Sequence, residues 1–157
     1  PMNSSLSNDE QSIILKKYVN IGIAVNTPNG LVVPVVRNVH EKNCVQLTKD
    51  LRDLSTKARD GKLTKNDITG GTFTISSLGG LGGTSFTPII NAPEVGILGL
   101  SRTDQKPVWN NDTFVARLML PMSLSYDHRV IDGAEGVNFL NLLKETIVTV
   151  KEELEAQ

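Results

Sequence analysis

The sequence predicts an α/β fold with a largely mixed sheet, on the basis of three observations. Apolar residues alternate with smaller or polar ones over residues 19–25, which is the period-two pattern of a strand. Leucines and an alanine recur at spacings of four, three and four over residues 47–58, as on one face of a helix. Strand and helix patterns then follow one another without strict alternation, so we do not expect a purely parallel sheet.

The first strand pattern continues into a hairpin. Residues 26–30 form a turn cluster of Asn, Thr, Pro, Asn and Gly, and Gly30 is free to adopt a positive φ angle. An apolar, β-branched run follows over residues 31–36, so residues 19–36 are predicted to form one hairpin. Pro34 lacks a backbone N–H group and therefore indicates an edge strand or a bulge.

The helix that follows carries its own start and stop signals. Asn43 is its predicted N-cap, Gln46 stands at the third helical position of a capping box, and Gly61 ends the helix. Thr64 and Asp67 predict a second, short capped turn.

More strands are predicted in the second half of the chain. The strand at 72–76 enters a glycine-rich loop at 79–83. The others are predicted at 95–100, 114–120 and 123–126.

The last predicted element is a long helix, with apolar residues near one face at Val137, Leu140, Ile147, Val150 and Leu154. Asp132 is its natural N-cap, with Glu135 three residues further on. We find no internal repeat and no low-complexity linker, so residues 1–157 are treated as part of a single domain.

The composition excludes several classes of protein. Hydrophobic residues make up 39% of the chain and charged residues 21%, so it can bury a core. A net charge of −1 offers no basic field for nucleic acid, and no apolar run approaches the roughly 20 residues that span a bilayer. The single cysteine, Cys44, excludes an internal disulfide and fits a reducing compartment. We expect a soluble protein, in the cytoplasm or an organelle matrix, with neither nucleic acid nor membrane as a partner.

Only two histidines are available as a general base. His40 lies in a polar stretch typical of a solvated loop. His128 directly follows a predicted strand and precedes the cap of the last helix. Its imidazole is either a catalytic base or a structural group paired with Asp127 or Asp132, and the residues alone leave both interpretations open.

Other chemistries find little support. Cys44 stands beside Val45 and is interpreted as a small, inert residue. Two distant histidines and one cysteine give no metal-ligand spacing, so no metal is expected. The glycine-rich loop at 79–83 lacks the Gly-Lys-Ser/Thr ending of a phosphate-binding loop, and the chain has no Gly-x-Ser-x-Gly motif.

Five motifs together resemble the dihydrolipoamide acyltransferases, the core enzymes of 2-oxo-acid dehydrogenase complexes. They cover nearly the whole chain and lie at residues 18–31, 70–79, 91–95, 117–121 and 123–133. The resemblance implies a chloramphenicol acetyltransferase-like fold, a two-layer sandwich with a mixed sheet. Residues 107–109 and 73–78 look most like the acetyl-transferring members that serve pyruvate dehydrogenase. Succinyl- and branched-chain-specific members are the near alternatives.

The resemblance also implies a reaction and its residues. An acetyl group passes between a dihydrolipoyl thiol and coenzyme A, and His128 matches the family's general base. Ser76 matches the residue that donates to the oxyanion, and its neighbour Ser77 is the position most easily confused with it. Asp132 matches an acidic position that orients the site or caps the helix. Asp127 and Arg129 are interpreted as structural partners of each other.

The expected partners come from the same resemblance. The family site lies between subunits of a homotrimer, where the histidine of one copy faces the serine of the next. Coenzyme A is a co-substrate, and the lipoyl group is supplied by a separate lipoyl domain within the pyruvate dehydrogenase complex. The resemblance makes residues 1–157 the C-terminal two-thirds of the catalytic domain, incomplete at the N-terminus. The charged tail at 151–157 leads us to expect trimers that do not assemble into larger cores.

Two alternatives from other functional classes remain. The chain could be an assembly module without turnover, although the presence of both Ser76 and His128 argues against a purely structural role. It could also be a free-standing antibiotic acetyltransferase of the same fold. The acceptor that is turned over, a hydroxyl group or dihydrolipoamide, distinguishes these possibilities.

Overall fold

A five-stranded mixed sheet lies at the centre of the structure. The computed structural model describes the backbone of residues 1–155 and the side chains of residues 1–150. The strands are β1 (Ser4–Leu6), β2 (Ile13–Leu15), β3 (Ile21–Ile23), β4 (Val25–Thr27), β5 (Gly30–Val32), β6 (Val35–Val36), β7 (Phe73–Ser77), β8 (Gly96–Leu100), β9 (Asp104–Asn110), β10 (Thr113–Met119) and β11 (Met122–Tyr126). The helices are α1 (Cys44–Arg59) and α2 (Gly133–Glu155), with short 3-10 helices at Val39–Glu41 and Lys65–Asp67.

The order of strands in the central sheet is β11-β8-β7-β3-β6. Strands β3, β7 and β8 are parallel to one another, whereas β11 and β6 pair antiparallel with β8 and β3 at the two edges. The predicted α/β fold with a mixed sheet is therefore confirmed.

The hairpin predicted over residues 19–36 is divided into two pairs of strands. Its tip is the β4–β5 hairpin, which forms a separate two-stranded sheet, and its base is the β3–β6 pair of the central sheet. Between the two pairs, the N–H group of Ala24 donates to the carbonyl of Ile75 in β7, at 2.9 Å. Pro34 is fully buried just before the edge strand β6, and its carbonyl accepts a hydrogen bond from Ile23. The edge position predicted from Pro34 is confirmed.

Both long helices begin with the predicted capping boxes. The Asn43 side chain accepts from the N–H group of Gln46 at 2.9 Å, and the Gln46 side chain accepts from Asn43 at 3.0 Å. At α2, the Asp132 carboxylate accepts from the N–H group of Glu135 at 2.8 Å, and the Glu135 carboxylate accepts from Asp132 at 3.2 Å. Each box satisfies two backbone donors that a helix start otherwise leaves unpaired.

One face of the central sheet packs against α2. On this face, the Phe73 ring lies against Phe139 of α2, with ring centroids 5.6 Å apart. Val95, Val130 and Ile131 form a buried cluster, against which Tyr126 of β11 packs. Successive side chains of a strand point to opposite faces, so Ser76, three residues after Phe73, faces away from α2.

Three strands were not predicted from the sequence. The β1–β2 hairpin occupies a stretch in which polar residues predominate, and β9 contains Pro107 and two charged residues, Asp104 and Lys106. Strand β9 pairs with β10 over seven residues, outside the central sheet, and leaves Trp109 and Phe114 largely exposed. The prediction missed β9 because a strand that is exposed on both faces need not show the alternation of a half-buried one.

Among the described residues, the structure contains no helix long and apolar enough to cross a membrane. The side chains of the charged tail, 151–157, lie outside the described residues, so the expectation about further assembly stays a prediction.

Candidate active site

His128 lies at the tip of a tight turn between β11 and α2. The N–H group of Asp127 donates to the carbonyl of Val95 at 2.8 Å and makes the last backbone contact with β8. The carbonyl of Asp127 then accepts from both Val130 and Ile131 at 3.0 Å, which closes the turn. Val130 and Ile131 are buried in the core, while the His128 side chain is exposed. The turn is therefore fixed at both ends and presents the imidazole to solvent.

The two carboxylates that flank His128 have other partners. Arg129 donates to both carboxylate oxygens of Asp127, at 2.8–3.2 Å, and also to Glu10 at 2.7 Å. These hydrogen bonds from the guanidinium lower the pKa of Asp127. The Asp132 carboxylate is bound to the backbone of α2. The structural pairing of His128 with Asp127 or Asp132 is thus absent, and the expected partnership of Asp127 with Arg129 is formed.

An open cleft of about 580 Å³ surrounds the His128 turn. The turn between β1 and β2 forms one wall, and the segment 90–95 forms another. The Tyr126 ring packs beside the imidazole, with centroids 5.7 Å apart. An exposed imidazole in a cleft of this size is available to take a proton from a bound substrate.

Ser76 lies on β7, in register with Gly99 of β8, and Gly99 pairs with Ser123 of β11. The three residues form a row of small side chains on the face away from α2. A Cβ atom on Gly99 would lie 2.9 Å from the Phe86 ring, so Phe86 covers this row closely because position 99 is glycine. Ser76 is half-buried, whereas Ser77 is exposed and points to the opposite face.

One copy of the chain does not bring Ser76 and His128 together. Ser76 is in register with Gly99, whereas Tyr126 is in register with Gly96, three residues earlier on β8. Three residues of strand span roughly 10 Å. His128 lies two residues beyond Tyr126, in the direction away from Ser76. The two predicted site residues therefore lie at opposite ends of β8, and Asp132 lies at the His128 end.

Sequence reasoning missed Glu94 as a feature of this region. It is a buried carboxylate that lines the His128 cleft, with 6% of its surface exposed. The Thr74 hydroxyl donates to it at 2.5 Å and the Asn91 amide at 3.2 Å. Burial raises the pKa of Glu94. The available signal was an acidic residue between Pro93 and an apolar strand, a position where a charge has to be paired.

The structure assigns neither a metal nor a coenzyme to particular residues. Among the described residues, no group of three or more His, Cys, Asp or Glu side chains is arranged to hold a metal ion. Cys44 is exposed at the start of α1, far in sequence from the His128 turn.

Comparison with known proteins gives the family. The model of the catalytic domain of the 2-oxoacid dehydrogenases acyltransferase family matches residues 1–154. The dihydrolipoyllysine-residue acetyltransferase component of the pyruvate dehydrogenase complex from Haemophilus influenzae is 58% identical over 149 residues, which is 95% of this chain and 26% of that protein. The corresponding component from Azotobacter vinelandii is 53% identical over 149 residues, 95% of this chain and 23% of that protein.

Solved structures agree with this result. A structure of Azotobacter vinelandii dihydrolipoamide acetyltransferase superimposes with a TM-score of 0.93 at 53% identity, and covers 98% of this chain and 63% of that one. Its study concerns the role of a serine, a histidine and an asparagine in the catalytic mechanism. The cubic core of a pyruvate dehydrogenase multienzyme complex has a TM-score of 0.93 at 52% identity, with the same coverage.

The chain spans about a quarter of the length of these curated relatives and 63% of the solved chains. The fold expected from the resemblance is confirmed by the two superpositions. With a family model matched over residues 1–154, the chain belongs to the 2-oxoacid dehydrogenase acyltransferase family, in the region of its catalytic domain.

Proposed function

We propose that this protein transfers an acetyl group between dihydrolipoamide and coenzyme A, as part of a pyruvate dehydrogenase complex. The spacing of its candidate residues carries the proposal. In the Azotobacter vinelandii enzyme, the named histidine follows the named serine by 52 positions, and the asparagine follows the histidine by four. In this chain His128 follows Ser76 by 52 positions, and Asp132 follows His128 by four.

The proposed reaction is thioester exchange. A thiol with a pKa near 8.5 is mostly protonated at pH 7, so a base must remove its proton before attack. His128 takes the proton from the thiol of coenzyme A, and the sulfur attacks the carbonyl carbon of acetyl-dihydrolipoamide. The intermediate then collapses, the dihydrolipoamide sulfur leaves, and His128 returns the proton to it. The reverse direction uses the same groups.

Ser76 is proposed to donate a hydrogen bond to the oxyanion of the tetrahedral intermediate. Its half-buried hydroxyl lies in a row of small residues on the face of the sheet away from α2. A preorganised donor of this kind is typically worth about 10²–10³ in rate. Asp132 is proposed to orient the His128 turn through its bond to the start of α2, rather than to accept a proton.

The quaternary arrangement follows from the separation of the two residues. Since one copy holds Ser76 and His128 at opposite ends of β8, we propose a homotrimer in which His128 of one copy meets Ser76 of the next. The exposed apolar side chains of the β9–β10 hairpin, among them Trp109, Phe114 and Leu118, supply a surface for such contacts. The lipoyl group comes from a separate domain, and the other subunits of the complex are further partners. We propose a cytoplasmic location.

The test is an assay of the full-length protein with acetyl-CoA and dihydrolipoamide. We expect turnover with this pair, and much slower turnover with succinyl-CoA or with a branched-chain acyl-CoA. No transfer from any of the three donors would favour an assembly module without turnover. Transfer to a hydroxyl acceptor but not to dihydrolipoamide would favour an antibiotic acetyltransferase.

A further inference from the structure

Arg129, the residue after His128, joins two distant parts of the chain. Its guanidinium holds the carboxylate of Asp127 through both oxygens at 2.8–3.2 Å. The remaining terminal nitrogen donates to the carboxylate of Glu10 at 2.7 Å, across 119 residues of sequence. One side chain thus links the His128 turn to the turn between β1 and β2, and both turns line the cleft.

Backbone hydrogen bonds within the turn at residues 7–12 fix the conformation of Glu10. The backbone of Ser7 pairs with that of Ser12 at 2.8 Å, and the N–H group of Glu10 donates to the carbonyl of Ser7 at 2.9 Å. Glu10 has a φ angle of +59°, a left-handed conformation that few residues other than glycine adopt. The neighbouring carboxylate, Asp9, is bound to Ser7 within the same turn instead of to Arg129.

The first strand of this hairpin is anchored in the core at Leu6, and the chain before it at Met2, without the help of Glu10. Leu6 and Met2 pack against the buried cluster of Val95, Val130 and Ile131. Loss of the Glu10 carboxylate would therefore release the tip of the turn and leave the hairpin in place. This separation makes the contact testable without unfolding the protein.

We infer that Glu10 and Arg129 are a positioning pair for His128, which holds the imidazole and the cleft wall in a fixed relation. The inference rests on the proposed role of His128 as the base. Exposed ion pairs contribute little to stability. Arg129 is nevertheless held on Asp127, the residue before His128, by a bidentate contact, and its remaining terminal nitrogen ties this unit to Glu10 by one hydrogen bond. Bidentate contacts restrict geometry strongly, and catalysis is sensitive to misplacement on the order of 1 Å. The pair should therefore affect rate far more than stability.

The test compares Glu10→Gln with the unaltered full-length protein in the acetyl transfer assay. We expect kcat to fall roughly three- to tenfold, with KM for coenzyme A changed by less than about twofold, because the step that depends on the imidazole is impaired. Arg129→Lys keeps the positive charge and loses the bidentate contact with Asp127. Its kcat should therefore fall less than that of Arg129→Gln. Glu41→Gln, which removes an exposed carboxylate that pairs with His40, is the matched control and should leave kcat unchanged.

A double variant decides whether the two residues act together. If they do, Glu10→Gln combined with Arg129→Gln should be no slower than Arg129→Gln alone. The inference would be overturned if the fold-decreases in kcat of the two single variants multiplied in the double variant. A Glu10→Gln enzyme with normal kcat would overturn it as well. The His128→Ala variant distinguishes a failure of the positioning pair from a failure of the proposed function. An active His128→Ala enzyme refutes the proposed base, whereas an inactive one beside a normal Glu10→Gln enzyme refutes only the positioning pair.

Discussion

The Thr74 hydroxyl donates a 2.5 Å hydrogen bond to the carboxylate of Glu94. Thr74 stands two residues before Ser76 on β7, and Glu94 lines the cleft of His128. A buried polar contact therefore connects the strand of one candidate residue to the surroundings of the other. Because the Glu94 side chain is buried, this contact is also where the stability of the protein should respond to pH.

Glu94→Gln should change the pH dependence of stability in a defined direction. Burial raises the pKa of Glu94 above its ordinary value of 4.5 in the folded protein. The native state thus binds this proton more tightly than the unfolded state. Its stabilising contribution is complete below the ordinary value and is lost as pH rises through the raised pKa. Urea unfolding at several pH values should show the unaltered protein losing stability relative to Glu94→Gln as pH rises. A difference independent of pH would contradict the expectation, and Glu41→Gln controls for the change in net charge.

His128→Ala should abolish acetyl transfer and leave the fold intact. A positioned general base is worth typically 10²–10⁴-fold, and His128 is the candidate base in the cleft. The side chain is exposed, so its removal leaves no cavity in the core. Initial rates and a thermal melt of the same preparation check both parts. More than about a tenth of normal activity would exclude His128 as the essential base.

Ser76→Ala should lower kcat by roughly 10²–10³ with little change in KM, because the oxyanion forms only near the transition state. Ser77→Ala is the matched control. It removes the same hydroxyl one residue later, on the opposite face of the strand. Steady-state rates with varied coenzyme A give both constants. If Ser77→Ala is the slower variant, the assignment between the two serines is wrong.

Gly99→Ala should destabilise the protein by about 1–3 kcal/mol, the usual cost of an added methyl group in a packed region. The new Cβ atom would lie 2.9 Å from the Phe86 ring and 3.2 Å from Pro88. Gly80→Ala is the control, because a Cβ there meets nothing within 4 Å. Chemical denaturation measures both variants. Equal stability of the two would show that Phe86 moves aside without cost.

Mixing two inactive variants tests whether the site lies between copies. His128→Ala and Ser76→Ala chains, co-expressed in equal amounts, should form mixed trimers in which some interfaces keep an intact His128 and an intact Ser76. With random assembly, about a quarter of all interfaces are intact, so about a quarter of normal activity should return. A site contained within one copy predicts no recovery above either variant alone. Light scattering on the same sample checks for a mass near three chains or a multiple of it.

The contacts that could be predicted from the sequence are those between residues close together along the chain. The capping boxes of Asn43 with Gln46 and of Asp132 with Glu135 span three residues, and both were predicted. The contact between Glu10 and Arg129 spans 119 residues and depends on the fold of the whole chain. No pattern of neighbouring residues predicts such a contact.

The same reasoning applies to the strands. The strand at Phe73–Ser77 was predicted because its local composition matches a strand entering a glycine-rich turn. Strand β9 was missed because Pro107 and its charged neighbours argue against a strand when read locally. Its pairing with β10 supplies the hydrogen bonds that its composition does not indicate. The position of Ser76 relative to His128 likewise follows from sheet order, which residue periodicity does not determine.

The cap at the start of α2 limits which residues can occupy position 132. Helix N-caps strongly favour Asp, Asn, Ser and Thr, since a short side-chain oxygen has to reach a backbone N–H group. Asp132 meets this requirement at 2.8 Å, and asparagine caps a helix about equally well. A change between carboxylate and amide at this position therefore alters the local charge beside His128 while the helix keeps its start. A substitution at position 132 can therefore separate the electrostatic contribution of this residue from its contribution as a helix cap.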